Sequence, residues 1–105
     1  VEIRSAIRRR QRAADIDAAV AAALLETVQS HMESRFIRQM VNDPVIDAAK
    51  EMVDRYALRA YDAVQLAGCL VVGAIAAEAF TFVCSDHRLL EAARAEQLNV
   101  FDPAA

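Results

Sequence analysis

The sequence has little of what breaks, bridges or anchors a chain. Of its 105 residues only two are Gly, two Pro and two Cys, while 56% are hydrophobic. Such scarcity of breakers and abundance of apolar residues exclude a disordered chain. Cys69 and Cys84 stand fifteen residues apart and form no C-x-x-C pair, which fits reduced, buried thiols in a cytosolic protein. The apolar stretch at residues 67–77 has eleven residues, about half of a bilayer span. The charged head and cleavage site of a signal peptide are also missing. The expectation is a soluble, cytoplasmic protein with no membrane partner. Neither sign of charge dominates: twelve basic and fifteen acidic residues leave −3, with no charged tail. Net charge therefore neither predicts nor excludes a nucleic-acid partner. Internal repeats and linkers are absent, so residues 1–105 read as one domain, large enough for a core.

What is present is arginine, alanine and helical periodicity. Eleven of the twelve basic residues are Arg, a bias that fits a GC-rich bacterial genome. The chain opens on "VEIRSAIRRR", without Met and already in an amphipathic pattern, which suggests a fragment, a processed chain or a region whose upstream part is absent. Residues 2–12 are expected to be a helix with Ile3, Ala6 and Ile7 apolar and Arg4, Arg8 and Arg12 on another face. Residues 15–34 form a second helix capped by Asp15 or Asp17. "RFIRQMV" (35–41) alternates as a short strand does. "NDPVIDAAKEMVDRY" opens on a cap and a Pro, and its apolar stripe is Val45, Ala49, Met52, Val53 and Tyr56. A helix carrying Asp62 runs to about Glu78, followed by a strand at 80–85, a helix at 86–97 and a strand at 98–102. This order predicts α/β with a small parallel sheet.

Three acids stand out. Asp62 lies in "LRAYDAVQLA", where a helix through the window sets Leu58 and Leu66 on its face. A buried, unpaired carboxylate there is costly. Asp86 follows strand 80–85, at the carboxyl end where open α/β sheets place ligands. Glu2 sits between Val1 and Ile3. Three such carboxylates in one place repel one another, and a hard cation such as Mg²⁺ or Mn²⁺ offsets that cost. Each acid also has a plainer role. Asp86 can cap its helix, with Ser85 as the competing cap. Asp62 can pair with Arg59 or Arg55 on the surface, or be partly solvated, and Glu2 suits any first helical turn. Arg4, Arg8, Arg9 and Arg12, within "RSAIRRRQR", can contact RNA phosphates or a partner, or form a solvated face. His31 and His87 read as surface or cap residues, and His87 beside Asp86 could also touch substrate.

"LRAYDAVQLAG" followed by "FVCSDHRLLEAARAEQLNVFDP" resembles the second half of a PIN domain, in particular the VapC-type toxin ribonucleases. The likeness rests on "DAVQLA" around Asp62, "SDHRLL" around Asp86 and the closing "NVFDP". "VEIRSAI" resembles the family's helix whose glutamate, matched by Glu2, completes its acidic cluster. The implied fold is a PIN-like parallel sheet flanked by helices. The family's first strand, with its metal-binding aspartate, has no counterpart here. The implied activity is a Mg²⁺- or Mn²⁺-dependent endoribonuclease, the toxin of a type II toxin–antitoxin system. RNA is its substrate, a VapB-like antitoxin its partner, and a homodimer its assembly. Glu2, Asp62 and Asp86 would be its catalytic metal ligands, with Ser85 orienting a ligand or capping the helix. The alternatives are a PIN-like module that binds RNA or protein without cleaving, and a structural helical domain whose acids are caps and surface pairs.

Overall fold

The arginine-rich opening is helical: in the computed structural model, which describes residues 1–35, 38–76 and 79–105, helix α1 spans Glu2–Arg12. Glu2 in its first turn and Arg9, Arg10 and Arg12 in its last complement the helix dipole. The helix ends where Ala14 takes a left-handed conformation (φ 61°). The Asp15 amide then returns to the Arg10 carbonyl and the Ala14 amide to that of Gln11, the paired bonds of a Schellman motif. Helix α2, Ala18–Ser34, starts from Asp17, whose Oδ1 accepts the Val20 amide at 2.8 Å. These helices belong to the first of two compact units, Val1–Arg38; the second is Gln39–Ala105.

In the second unit, α3 (Asp43–Arg55) begins at Asn42, whose side chain accepts the Val45 amide, with Pro44 in the first turn. It packs against α4 (Ala60–Ile75). A short strand β1 (Thr81–Val83), helix α5 (His87–Ala95) and strand β2 (Asn99–Phe101) complete the unit. The strands pair in parallel, Thr81 opposite Asn99 and Val83 opposite Phe101, as a β–α–β connection requires. Helix α5 closes like α1: Gln97 is left-handed (φ 66°), and the Leu98 and Gln97 amides return to the Ala93 and Arg94 carbonyls. The chain thus mixes helices with a two-stranded parallel sheet, the α/β class expected.

The core of this unit joins Val45, Ala49 and Met52 of α3 to Ala63, Leu66 and Ala67 of α4, with Phe82 of β1 and Leu89, Ala92 and Ala93 of α5. The predicted stripe on α3 is therefore buried over its first three members and half-buried at Tyr56, whereas Val53 stays 45% exposed at its margin. Gly73 on α4 admits the Phe80 ring, whose Cζ lies 2.3 Å from where a Cβ would stand. The end of α3 is fastened to the end of α5. Arg55 Nη1 donates to both Glu96 oxygens, at 2.9 and 2.7 Å, and the Tyr56 hydroxyl donates to Glu96 Oε2.

Two expectations change. Residues 38–41 have no regular structure and are exposed, and Arg35 is in a turn; Phe36 and Ile37 lie outside the described residues. Alternation makes a strand only where a neighbouring strand takes its hydrogen bonds, and among the described residues none pairs with this segment. Helix α4 closes at Ile75, while the expected end near Glu78 lies outside the described residues. Cys69 and Cys84 are free, half-buried thiols. Among the described residues no helix is long and apolar enough to cross a membrane.

Candidate functional site

Asp86 is placed by the switch from strand to helix. It follows β1 by three residues and caps α5, its Oδ1 accepting the Leu89 amide at 2.9 Å. The cap is thus Asp86 and not Ser85, which is exposed in the connecting turn. A capping carboxylate uses one oxygen for the helix, so its second oxygen is available to the solvent side.

Asp62 is placed by the start of α4. The helix begins at Ala60, with Arg59 as an N-cap that makes no side-chain cap bond, so Asp62 stands in the first turn. Leu58 precedes the helix and does not share its face, contrary to expectation, although it still packs against the core. The carboxylate is half-buried and gains from the positive end of the helix dipole. This removes the paradox of an acid sealed among apolar residues: Asp62 is a first-turn residue at a rim. It takes part in none of the ion pairs within 4.0 Å among the described residues. Arg55, one of its expected partners, is instead committed to Glu96 and Glu51.

Asp62 and Asp86 line one pocket of about 370 Å³, together with Arg59, His87, Arg88 and the turn at residues 57–58. The structure therefore brings two of the three predicted acids together. Glu2 is exposed in the first turn of α1, in the other unit. Among the described residues no group of three or more His, Cys, Asp or Glu could hold a metal ion. The four arginines singled out in the sequence all lie on α1. Arg8 is half-buried and donates to Gln11 Oε1 at 2.8 Å, while Arg4, Arg9 and Arg12 are exposed.

Beside the pocket lies Cys84, whose thiol donates weakly to the Asp86 carbonyl at 3.8 Å. Burial pushes this thiol up from its ordinary value, and the Asp86, Asp102 and Asp62 carboxylates act in the same direction. Asp102 was not among the expected site residues. It follows β2 as Asp86 follows β1, and its Oδ1 accepts the Ala104 amide at 2.9 Å. The signal that could have found it is this shared position, one acid just past the carboxyl end of each parallel strand. His87, read as a surface or cap residue, is the first residue of α5 and lines the pocket.

Another cavity of this unit, about 430 Å³, is mainly apolar, with Met40, Val41, Tyr61, Val64, Val72 and Phe80 in its lining. Among the described residues its lining holds no carboxylate, His, Lys or Arg. No protein-family model, no curated protein and no solved structure matches the chain.

Proposed function

We propose that the chain acts as a PIN-like, metal-dependent endoribonuclease of the VapC type, a cytoplasmic toxin that dimerises and is held in check by a VapB-like antitoxin. The observation that supports this reading is the meeting of Asp62 and Asp86 in one pocket at the carboxyl end of the strands. Open α/β sheets bind ligands at that edge.

The donor chemistry fits Mg²⁺ or Mn²⁺. Both side chains are hard oxygen donors, and Mg²⁺ is commonly held by only one or two carboxylates with water and phosphate completing its shell. Asp62 and the second oxygen of Asp86 would hold the ion, with Glu2 as a further ligand on the family pattern. A bound divalent cation supplies polarisation of the phosphate and activation of an attacking water. The residues of the chain orient that chemistry: the Leu89 amide fixes the Asp86 carboxylate, and the first turn of α4 fixes Asp62.

A second reading, a PIN-like module that binds RNA or protein without cleaving, is favoured because, among the described residues, two acids line the pocket where the family pattern has three or more. Cleavage separates the two. In Mg²⁺ or Mn²⁺ the chain should cut a mixed RNA, and EDTA should stop it. Loss of a group that only hydrogen-bonds to a metal ligand already costs about 10–100-fold, so Asp62→Asn and Asp86→Asn should each cost about a hundred-fold or more. An unchanged rate in both variants would remove the pocket from catalysis.

A further inference from the structure

We infer that Arg59 and Arg88 form the phosphate-holding side of the pocket that contains Asp62 and Asp86, and that they grip a phosphodiester of single-stranded RNA. The inference rests on the ribonuclease reading and specifies how that substrate is held. Both arginines are exposed and line the same pocket as the two carboxylates. Each is also close in sequence to one of them: Arg59 precedes Asp62 by three residues, and Arg88 follows Asp86 by two.

Opposite charges so placed ordinarily pair. Elsewhere in the chain they do: Arg55 with Glu96, Arg10 with Asp15 and Lys50 with Asp47. In the pocket they do not, since no ion pair within 4.0 Å among the described residues involves Arg59, Arg88, Asp62 or Asp86. The pocket therefore presents two uncommitted guanidiniums and two carboxylates free of salt bridges. A simple anion would meet the repulsion of the carboxylates, and a simple cation that of the guanidiniums. A phosphodiester accompanied by a divalent cation suits both sets. Its non-bridging oxygens match the planar fork of arginine, and the cation matches the carboxylates. Arginine also offers a flat face to an unstacked base, which favours a single strand over a duplex.

The test separates the grip from the cutting by removing the metal. In EDTA, the Asp62→Asn/Asp86→Asn chain keeps both arginines but loses the repulsion. Asn caps a helix as well as Asp, and Arg59 makes no side-chain cap bond that a substitution could remove. Circular dichroism verifies the fold of each variant. A short fluorescein-labelled single-stranded RNA, followed by anisotropy, should bind this chain in a salt-dependent way. Adding Arg59→Gln or Arg88→Gln should weaken binding about ten-fold each and lower the salt slope by about 0.7 each. Arg94→Gln, on an exposed position of α5 outside the pocket, should change neither. Absence of RNA binding by the doubly neutralised chain, or affinities untouched by both pocket substitutions, would overturn the inference. Mn²⁺-dependent cleavage by the unaltered chain is read separately. Failure of the arginine grip is thereby distinguished from failure of the ribonuclease reading.

Discussion

The two units of this chain spend their apolar residues differently. In residues 39–105 a ten-residue cluster from three helices and a strand is buried together. Among the described residues of 1–38 only Ile7 and Ala21 are buried, while Ile3, Val20 and Leu24 remain 42–51% exposed. Each unit contains a helix with a side-chain N-cap bond, α2 in the first and α3 and α5 in the second, so the contrast lies in packing and not in local propensity. Capping and propensity make a helix begin and end in the right place, but most helical stability in proteins comes from burying a face. The candidate site belongs to the unit that has the core. There, the ends of β1 and α4 are held by Phe82, Ala63 and Leu66 beneath them, and a rigid support is what fixed carboxylate geometry needs.

Core truncation should break this symmetry of appearance most strongly. Leu66 is fully buried, and Leu66→Ala should cost about 3 kcal/mol in urea unfolding followed by circular dichroism. Leu24→Ala, at a position 42% exposed, should cost under about 1 kcal/mol. Equal losses at the two positions would mean that α2 is packed far better than its exposure indicates.

A smaller effect is expected at the Glu96 clasp, and it has a pH signature. The Tyr56 hydroxyl first, and then the Arg55 guanidinium, hold the Glu96 carboxyl below its ordinary range. A depressed folded value means that stability is present above the unfolded value, about 4.3 for Glu. It is lost as pH falls through the lowered folded value. Glu96→Gln should therefore lower the melting temperature at neutral pH, and the gap to the unaltered chain should close in acid. A gap that is constant with pH would show that the charge of Glu96 is not what fastens α3 to α5.

The least effect is expected at the two helix ends that turn left-handed without glycine. Ala14 and Gln97 each hold φ above 60°, a conformation that costs a residue with a Cβ about 1 kcal/mol. Ala14→Gly and Gln97→Gly should each stabilise the chain by about 0.5–1 kcal/mol. Loss of stability in either variant would contradict the Schellman assignment at that end.

What the sequence made legible was local. Asp17, Asn42 and Asp86 were readable as caps because capping links residues only three apart. The Val45–Ala49–Met52 stripe was readable because helical period and burial coincide there. Proximity of Asp62 and Asp86 was reachable from the strand–helix order, which sets both at one edge. Other features depended on partners far along the chain. Residues 38–41 alternate like a strand, yet no neighbour pairs with them among the described residues. The Arg55–Tyr56–Glu96 clasp joins positions forty residues apart, and no periodicity announces it. Asp102 looked like the tail of a strand, and its influence on Cys84 follows only from the parallel pairing of β1 with β2. A helix that includes Leu58 sets Asp62 within a buried face, but α4 begins at Ala60. A shift of two residues turns an acid buried in a face into one at a first turn.

The central claim is that Asp62 and Asp86 together hold a divalent cation. Mn²⁺ titration followed by electron paramagnetic resonance tests it most directly, because bound Mn²⁺ loses the signal of the free ion. The account predicts saturable uptake by the unaltered chain and loss of that uptake in Asp62→Asn/Asp86→Asn with the fold intact. Equal uptake by both chains, or none by the unaltered one, would contradict it.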